Sequence, residues 1–212
     1  YPEDYTILRS ELERQWMAEG FISKENGQDV EKNARNYFNE LVNRSLVQPV
    51  EFDGVGAVTE CKVHDMMLDL ILLKCKEENF LSIVDGSEAI TEEEYKVRRL
   101  SLRLNDSDNE ILPGHISLSQ VRSIMIFGDS GEMPPLSKFK FLRVLFVPDY
   151  ITGDLTGMSE LYQLRYVEID GRLTSDRVLL PTQIRGLQQL QTFDPSRCYR
   201  IAKLDGTDYF KM

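Results

Sequence analysis

From residue 97 onward one short phrase keeps returning. It reads VRRLSL at Val97, VRSIMI at Val121, LRVLFV at Leu142, LRYVEI at Leu164 and LQTFDP at Leu190, at spacings of 24, 21, 22 and 26 residues. Five copies in register constrain the fold more than anything else in the chain. A unit this short has room for one strand and a return, and it cannot bury an apolar side alone. Stacked units can. Inward residues such as Leu100 and Leu102, or Leu145 and Val147, would share one continuous core. The residues between them are expected to face outward on a concave surface. GDSGEMPP, DYITGDLTG and LPTQIRG supply the turns between strands.

The mean spacing, about 23 residues, falls in the range of leucine-rich repeats. Residues 96–212 therefore read as about five such repeats of an incomplete array. Residues 86–95, GSEAITEEEY, read as an acidic connection, and residues 1–85 as a separate domain. Charge supports the division. Residues 1–95 hold 9 Lys+Arg against 21 Asp+Glu, a net of -12, whereas residues 96–212 hold 16 against 14, a net of +2. An acidic first half is a poor match for phosphate backbones. No window approaches the roughly 18 apolar residues of a membrane span. The opening YPEDY has no signal-peptide pattern. Cys61, Cys75 and Cys198 share no ligand spacing and make an odd count, which suits free thiols in a reducing compartment.

The first half reads as helices plus a hairpin. Ser10 and Glu13 have the spacing of a capping box, and Leu8, Leu12 and Trp16 would line one helical face that Gly20 ends. In DVEKNARNYFNELVNR, Asp29 is a good cap, and Val30, Ala34, Tyr37, Phe38, Leu41 and Val42 follow a helical stripe. Asp53-Gly54 and Gly56 sit between two apolar-rich runs, a hairpin signal, and Pro49 places the first strand at an edge or a bulge. DMMLDLILLKC reads as a third helix, capped by Asp65 and apolar enough to be well buried. NFLSIV follows as a strand. The expected class is α+β: a winged-helix domain, then the first repeats of a solenoid.

YPEDYTI, QWMAEGFI, ARNYFNELVNRSLVQP and CKVHDMMLDLI, followed by LPTQIRGLQQLQTFD, carry a family resemblance. In that order the phrases resemble plant nucleotide-binding leucine-rich-repeat disease-resistance proteins of the coiled-coil class. The likeness covers nearly the whole chain. It implies the C-terminal, winged-helix part of the family's nucleotide-binding region, joined to the start of its repeats. No G-x-x-x-x-G-K-[ST] phosphate loop occurs, so the chain is expected to be a piece of a longer receptor. It implies ADP or ATP, with Mg, bound mainly by residues outside this chain, and a cytoplasmic location.

From spacing alone, a single histidine at a strand–helix junction is an ordinary structural residue. The resemblance reverses that reading. Val63-His64-Asp65 takes the place of the family's Met-His-Asp motif, which implies that His64 contacts a phosphate of ADP and that Asp65 helps latch the off state. Arg98, Arg122, Arg143 and Arg165 each follow the first apolar residue of a repeat. Strands about 4.8 Å apart would stack them, and unit charges about 5 Å apart at an effective dielectric near 20 repel by roughly 3 kcal/mol before screening. Such a row wants acidic company. Either local acids supply it, or, as the resemblance implies, an acidic segment of the upstream coiled-coil domain does.

No catalytic constellation stands out, and the chain is not expected to be an enzyme; His115 reads as surface or repeat packing. The resemblance implies a switch gated by nucleotide and repeats that autoinhibit the receptor and recognise a pathogen effector or guarded host protein, with oligomerisation on activation. The competing readings are a DNA-binding winged helix and a repeat adaptor with no nucleotide link.

Overall fold

The computed structural model describes residues 1–22, 29–85, 97–104, 118–128, 134–148, 155–170 and 186–194. The connection at 86–95, His115, Cys198 and most of the turn segments lie outside the described residues. The chain divides into two compact units, residues 1–78 and 79–212.

In the first unit, β1 (Ile7–Leu8) leads directly into α1 (Arg9–Glu19). The helix therefore starts at Arg9 with Leu8 as its cap and no side-chain capping bond, so the Ser10–Glu13 box does not form. Ser10 already lies inside the first turn, and Glu13 pairs instead with Arg9 at 3.6 Å. Gly20 ends the helix at φ 85°, a left-handed conformation that glycine adopts without strain. α2 (Val30–Asn43) is capped as expected, Asp29 accepting from the Glu31 N–H at 3.1 Å. Its Ala34 and Phe38 are fully buried.

β2 (Gln48–Phe52) and β3 (Val58–Lys62) form the wing, and the sheet order is β1-β3-β2. β2 is thus the edge strand, and its register slips between Pro49 and Glu51. Pro49 satisfies both expectations, edge and bulge, because it has no N–H to give a ladder. Asp53 ties the turn by accepting from the Val55 and Ala57 N–H groups. Those bonds, Ala57 first, hold its carboxyl below the ordinary range. The small core joins Ile7, Phe38, Val47 and Cys61, with Trp16 and Leu41 packed against it. Burial pushes the free Cys61 thiol up to about 11. α3 (Asp65–Glu77) follows the wing, but no residue in it is buried, against the sequence expectation. Its apolar content exceeds what this unit can cover.

The second unit is a six-stranded parallel sheet in sequential order. It runs through β4 (Ser82–Asp85), β5 (Arg99–Leu104), β6 (Ser123–Gly128), β7 (Val144–Pro148), β8 (Tyr166–Asp170) and β9 (Thr192–Asp194). β4, expected in the first domain, is instead the first strand of this sheet. Arg103 holds it through Asp85 at 3.1 Å, and Arg99 lies 4.2 Å over the Phe80 ring. The register aligns Leu100, Ile124, Leu145, Val167 and Phe193 across five strands. Among the described residues, 3-10 turns precede β6, β7 and β8 and bury Leu118, Leu136 and Met158 in the same core.

The residues expected to face outward are buried as well, including Ser101, Phe127, Phe146 and Glu168. Phe127 and Phe146 pack ring to ring at 5.4 Å, and the Tyr166 hydroxyl donates to Glu168. A parallel sheet covered on both faces reads as unbroken apolar sequence, and SIMIF and VLFV are such runs. Gly128 sits at φ 130°, where an added Cβ would come within 2.0 Å of the Leu104 carbonyl oxygen. Gly128→Ala should therefore destabilise the repeat unit by about 2–4 kcal/mol in urea unfolding. A loss under about 0.5 kcal/mol would show that β5 and β6 separate at little cost.

Candidate functional site

β3 ends at Lys62, and the backbone is still extended at His64, with φ -67° and ψ 141°. The first helical residue is Asp65, so the helix cap is His64 and not Asp65, contrary to expectation. A residue with helical backbone cannot be the half-in cap. Asp65 instead places a carboxylate in the first turn, where it favours the positive helix end.

His64 Nδ1 accepts from the Met66 N–H at 3.4 Å, and its carbonyl accepts from the Met67 and Leu68 N–H groups at 2.8 Å each. While Nδ1 accepts there, an Nε2–H can donate elsewhere. His64 and Asp65 are both exposed.

One donor at a helix N-terminus suits one oxygen of a phosphate. The site fits as a single contact to a nucleotide, not as its cradle, since Asp65 adds negative charge beside it. Among the described residues, no group of three or more His, Cys, Asp and Glu side chains is placed to hold a metal ion.

The arginine positions do form a column, and its geometry is set by the backbone. The Arg98 carbonyl accepts from the Arg122 N–H at 2.7 Å, that of Arg122 from Arg143 at 2.6 Å, and that of Arg143 from Arg165 at 2.8 Å. Arg165 passes the ladder to Gln191 at 2.8 Å, where the column leaves arginine. Arg98 is exposed and the other three are half-buried. Among the described residues none of the four guanidiniums pairs with a carboxylate. The Nε of Arg165 is buried without a hydrogen-bond partner among them.

Two features escaped the sequence reading. Trp16, Phe21, Ile22, Tyr37, Leu41 and Leu46 line an apolar groove of about 310 Å3, with the Glu40–Arg44 ion pair among its lining residues. Met66, Leu70 and Leu73 are exposed on α3 at i, i+4 and i+7. The apolar pattern of α3 predicts a buried helix, and the exposure of this stripe departs from it.

Residues 1–71 match the family described as Disease resistance protein Winged helix domain, and residues 120–206 match Leucine-rich repeat region. Disease resistance protein RGA5 of Oryza sativa subsp. japonica is 38% identical over 200 residues, covering 92% of this chain and 18% of its own length. Disease resistance protein Pik-2 of the same organism is 34% identical over 94% of this chain and 20% of its own. Putative disease resistance RPP13-like protein 3 of Arabidopsis thaliana is 32% identical over 92% of this chain and 24% of its own. The chain spans about a fifth of the length of the curated relatives it matches.

Histidine is not among the preferred helix caps, which are Asn, Asp, Ser and Thr. His64→Asn should raise the stability of the free chain by about 0.5–1 kcal/mol in thermal unfolding. A loss would mean that the imidazole serves the fold.

Proposed function

The chain belongs to the disease-resistance winged-helix family over its first 71 residues and continues into a leucine-rich-repeat region, and from that premise we propose that it is the regulatory and recognition segment of a cytoplasmic plant immune receptor. The winged helix reads the nucleotide state through His64, and the repeats restrain the receptor and recognise a pathogen effector or a guarded host protein. The supporting observation is the capped imidazole, whose Nδ1 is occupied by the Met66 N–H while Nε2–H remains available. The ligand is ADP in the off state and ATP with Mg in the on state, held chiefly by residues beyond this chain. Its phosphates supply the charge that His64 senses; His64 donates one hydrogen bond, and the Asp65 carboxylate sets the local field. Any hydrolysis belongs to the parent protein, as does oligomerisation on activation.

The arginine column is the proposed seat of an acidic segment from the upstream coiled-coil domain. Four cationic positions one strand apart favour a row of carboxylates over a single one. The DNA-binding alternative is disfavoured by the net charge of -12 in residues 1–95 and by an α3 whose exposed face carries Met66, Leu70 and Leu73 rather than a basic row. No helix among the described residues is long and apolar enough to cross a membrane.

In the full-length receptor, His64→Ala should lower the ADP that co-purifies by at least about tenfold, the worth of one charge-assisted bond. Asp65→Val should cause signalling without a pathogen. Unchanged ADP with His64→Ala, together with silence of Asp65→Val at normal expression, would end the latch reading. Separately, Arg122→Glu with Arg143→Glu should abolish co-purification of the coiled-coil domain, and undiminished capture would return the column to a purely local role.

A further inference from the structure

The turn ahead of each repeat strand has a common build. Leu118 and Val121, Phe139 and Leu142, Leu161 and Leu164, and Leu187 and Leu190 pack into the core, with two residues between the members of each pair. Those two residues are Ser119-Gln120, Lys140-Phe141, Tyr162-Gln163 and Gln188-Gln189, and all but Ser119 are exposed. Phe141 is 49% and Tyr162 70% exposed, on neighbouring repeats. A single ring in water is ordinary, but two beside a row of cations make a pattern. The arginine row lies next to them, since Arg122, Arg143 and Arg165 directly follow Val121, Leu142 and Leu164. Acids are scarce along this edge. Within 118–122, 134–143, 155–165 and 186–191 the sequence holds Glu160 alone, against Arg122, Lys138, Lys140, Arg143 and Arg165.

We propose that this edge of the repeat sheet binds single-stranded nucleic acid. Phosphates follow Arg98, Arg122, Arg143 and Arg165, whose strands, about 4.8 Å apart, give a track of about 14 Å. Unpaired bases stack on Phe141 and Tyr162. Gln120, Gln163, Gln188 and Gln189 add amides that both donate and accept, a capacity that base edges use and carboxylates do not. A duplex hides the faces of its bases, so stacking selects the single strand. The chain's net charge of -10 confines the binding to this edge and keeps it weak, with Kd of micromolar order. The acidic coiled-coil segment proposed for the same row needs the arginines alone, whereas the nucleic acid also uses the rings and the amides. The two ligands exclude each other.

The test is fluorescence anisotropy of the free chain with labelled oligouridylate of about twelve nucleotides, within the site sizes of single-strand binders. Four phosphate contacts to a single strand predict a slope of about -3 for log K against log salt. Phe141→Ala with Tyr162→Ala should weaken binding at least about tenfold. The salt slope and the melting of the chain should stay unchanged, because both rings are exposed. Arg122→Gln with Arg143→Gln should bring the slope to about -1.5. Oligothymidylate run in parallel separates the sources: binding of oligouridylate alone supports RNA, and equal binding supports a single strand of either kind. No binding at low salt would overturn the proposal. So would affinity undiminished by loss of both rings, or equal affinity for a duplex or for inorganic polyphosphate of the same charge. The variant without the two rings should still capture the coiled-coil domain, so this proposal and the acidic-segment reading fail separately.

Discussion

A repeat of some 23 residues can bury its apolar side only against the next repeat, and most of the second unit follows from that constraint. Leu100, Ile124, Leu145, Val167 and Phe193 align because each strand takes its register from its neighbour. Gly128 is required because a Cβ there would run into the Leu104 carbonyl oxygen of the neighbouring strand. The arginine column is a by-product of the same ladder, since the carbonyls of Arg98, Arg122 and Arg143 each accept from the arginine N–H of the following repeat. Charge is thereby concentrated in a line without any local device to place it. The scaffold thus fixes where a partner would find positive charge.

The first unit obeys no such repetition, and its core is small. Four buried residues, Ile7, Phe38, Val47 and Cys61, tie β1, α2, the wing and the segment between them together. The residues of that core do not include any from α3, whose Met66, Leu70 and Leu73 are exposed. The junction at His64 thus joins a ring that caps α3 through Nδ1 to a helix whose Met66, Leu70 and Leu73 are exposed.

The sequence revealed the repeats because their spacing is regular, and the wing because Asp53, Gly56 and Pro49 each have one structural use. It hid β4. Ser82 pairs with Leu100, only 18 residues on, so this strand lies closer to its neighbour than the repeat period predicts. The capping box at Ser10 failed because β1 runs to Leu8 and the helix begins one residue before the expected cap. DMMLDLILLK read as core because apolar content reports a need for cover without saying which body supplies it. The same ambiguity concealed the buried outer face of the repeat strands, where Phe127, Phe146 and Tyr166 replace the polar residues of a solvated surface. The role proposed for His64 rests on resemblance, and its capping of α3 through Nδ1 is a matter of geometry that no residue pattern encodes.

The proposal that His64 donates to a nucleotide phosphate meets its sharpest check in a structure of the full-length parent protein with ADP. Nε2 of His64 should lie within about 2.7–3.2 Å of a phosphate oxygen, with the Met66 N–H still on Nδ1. An imidazole turned to solvent, or more than about 3.5 Å from every phosphate oxygen with no bridging water, would contradict it.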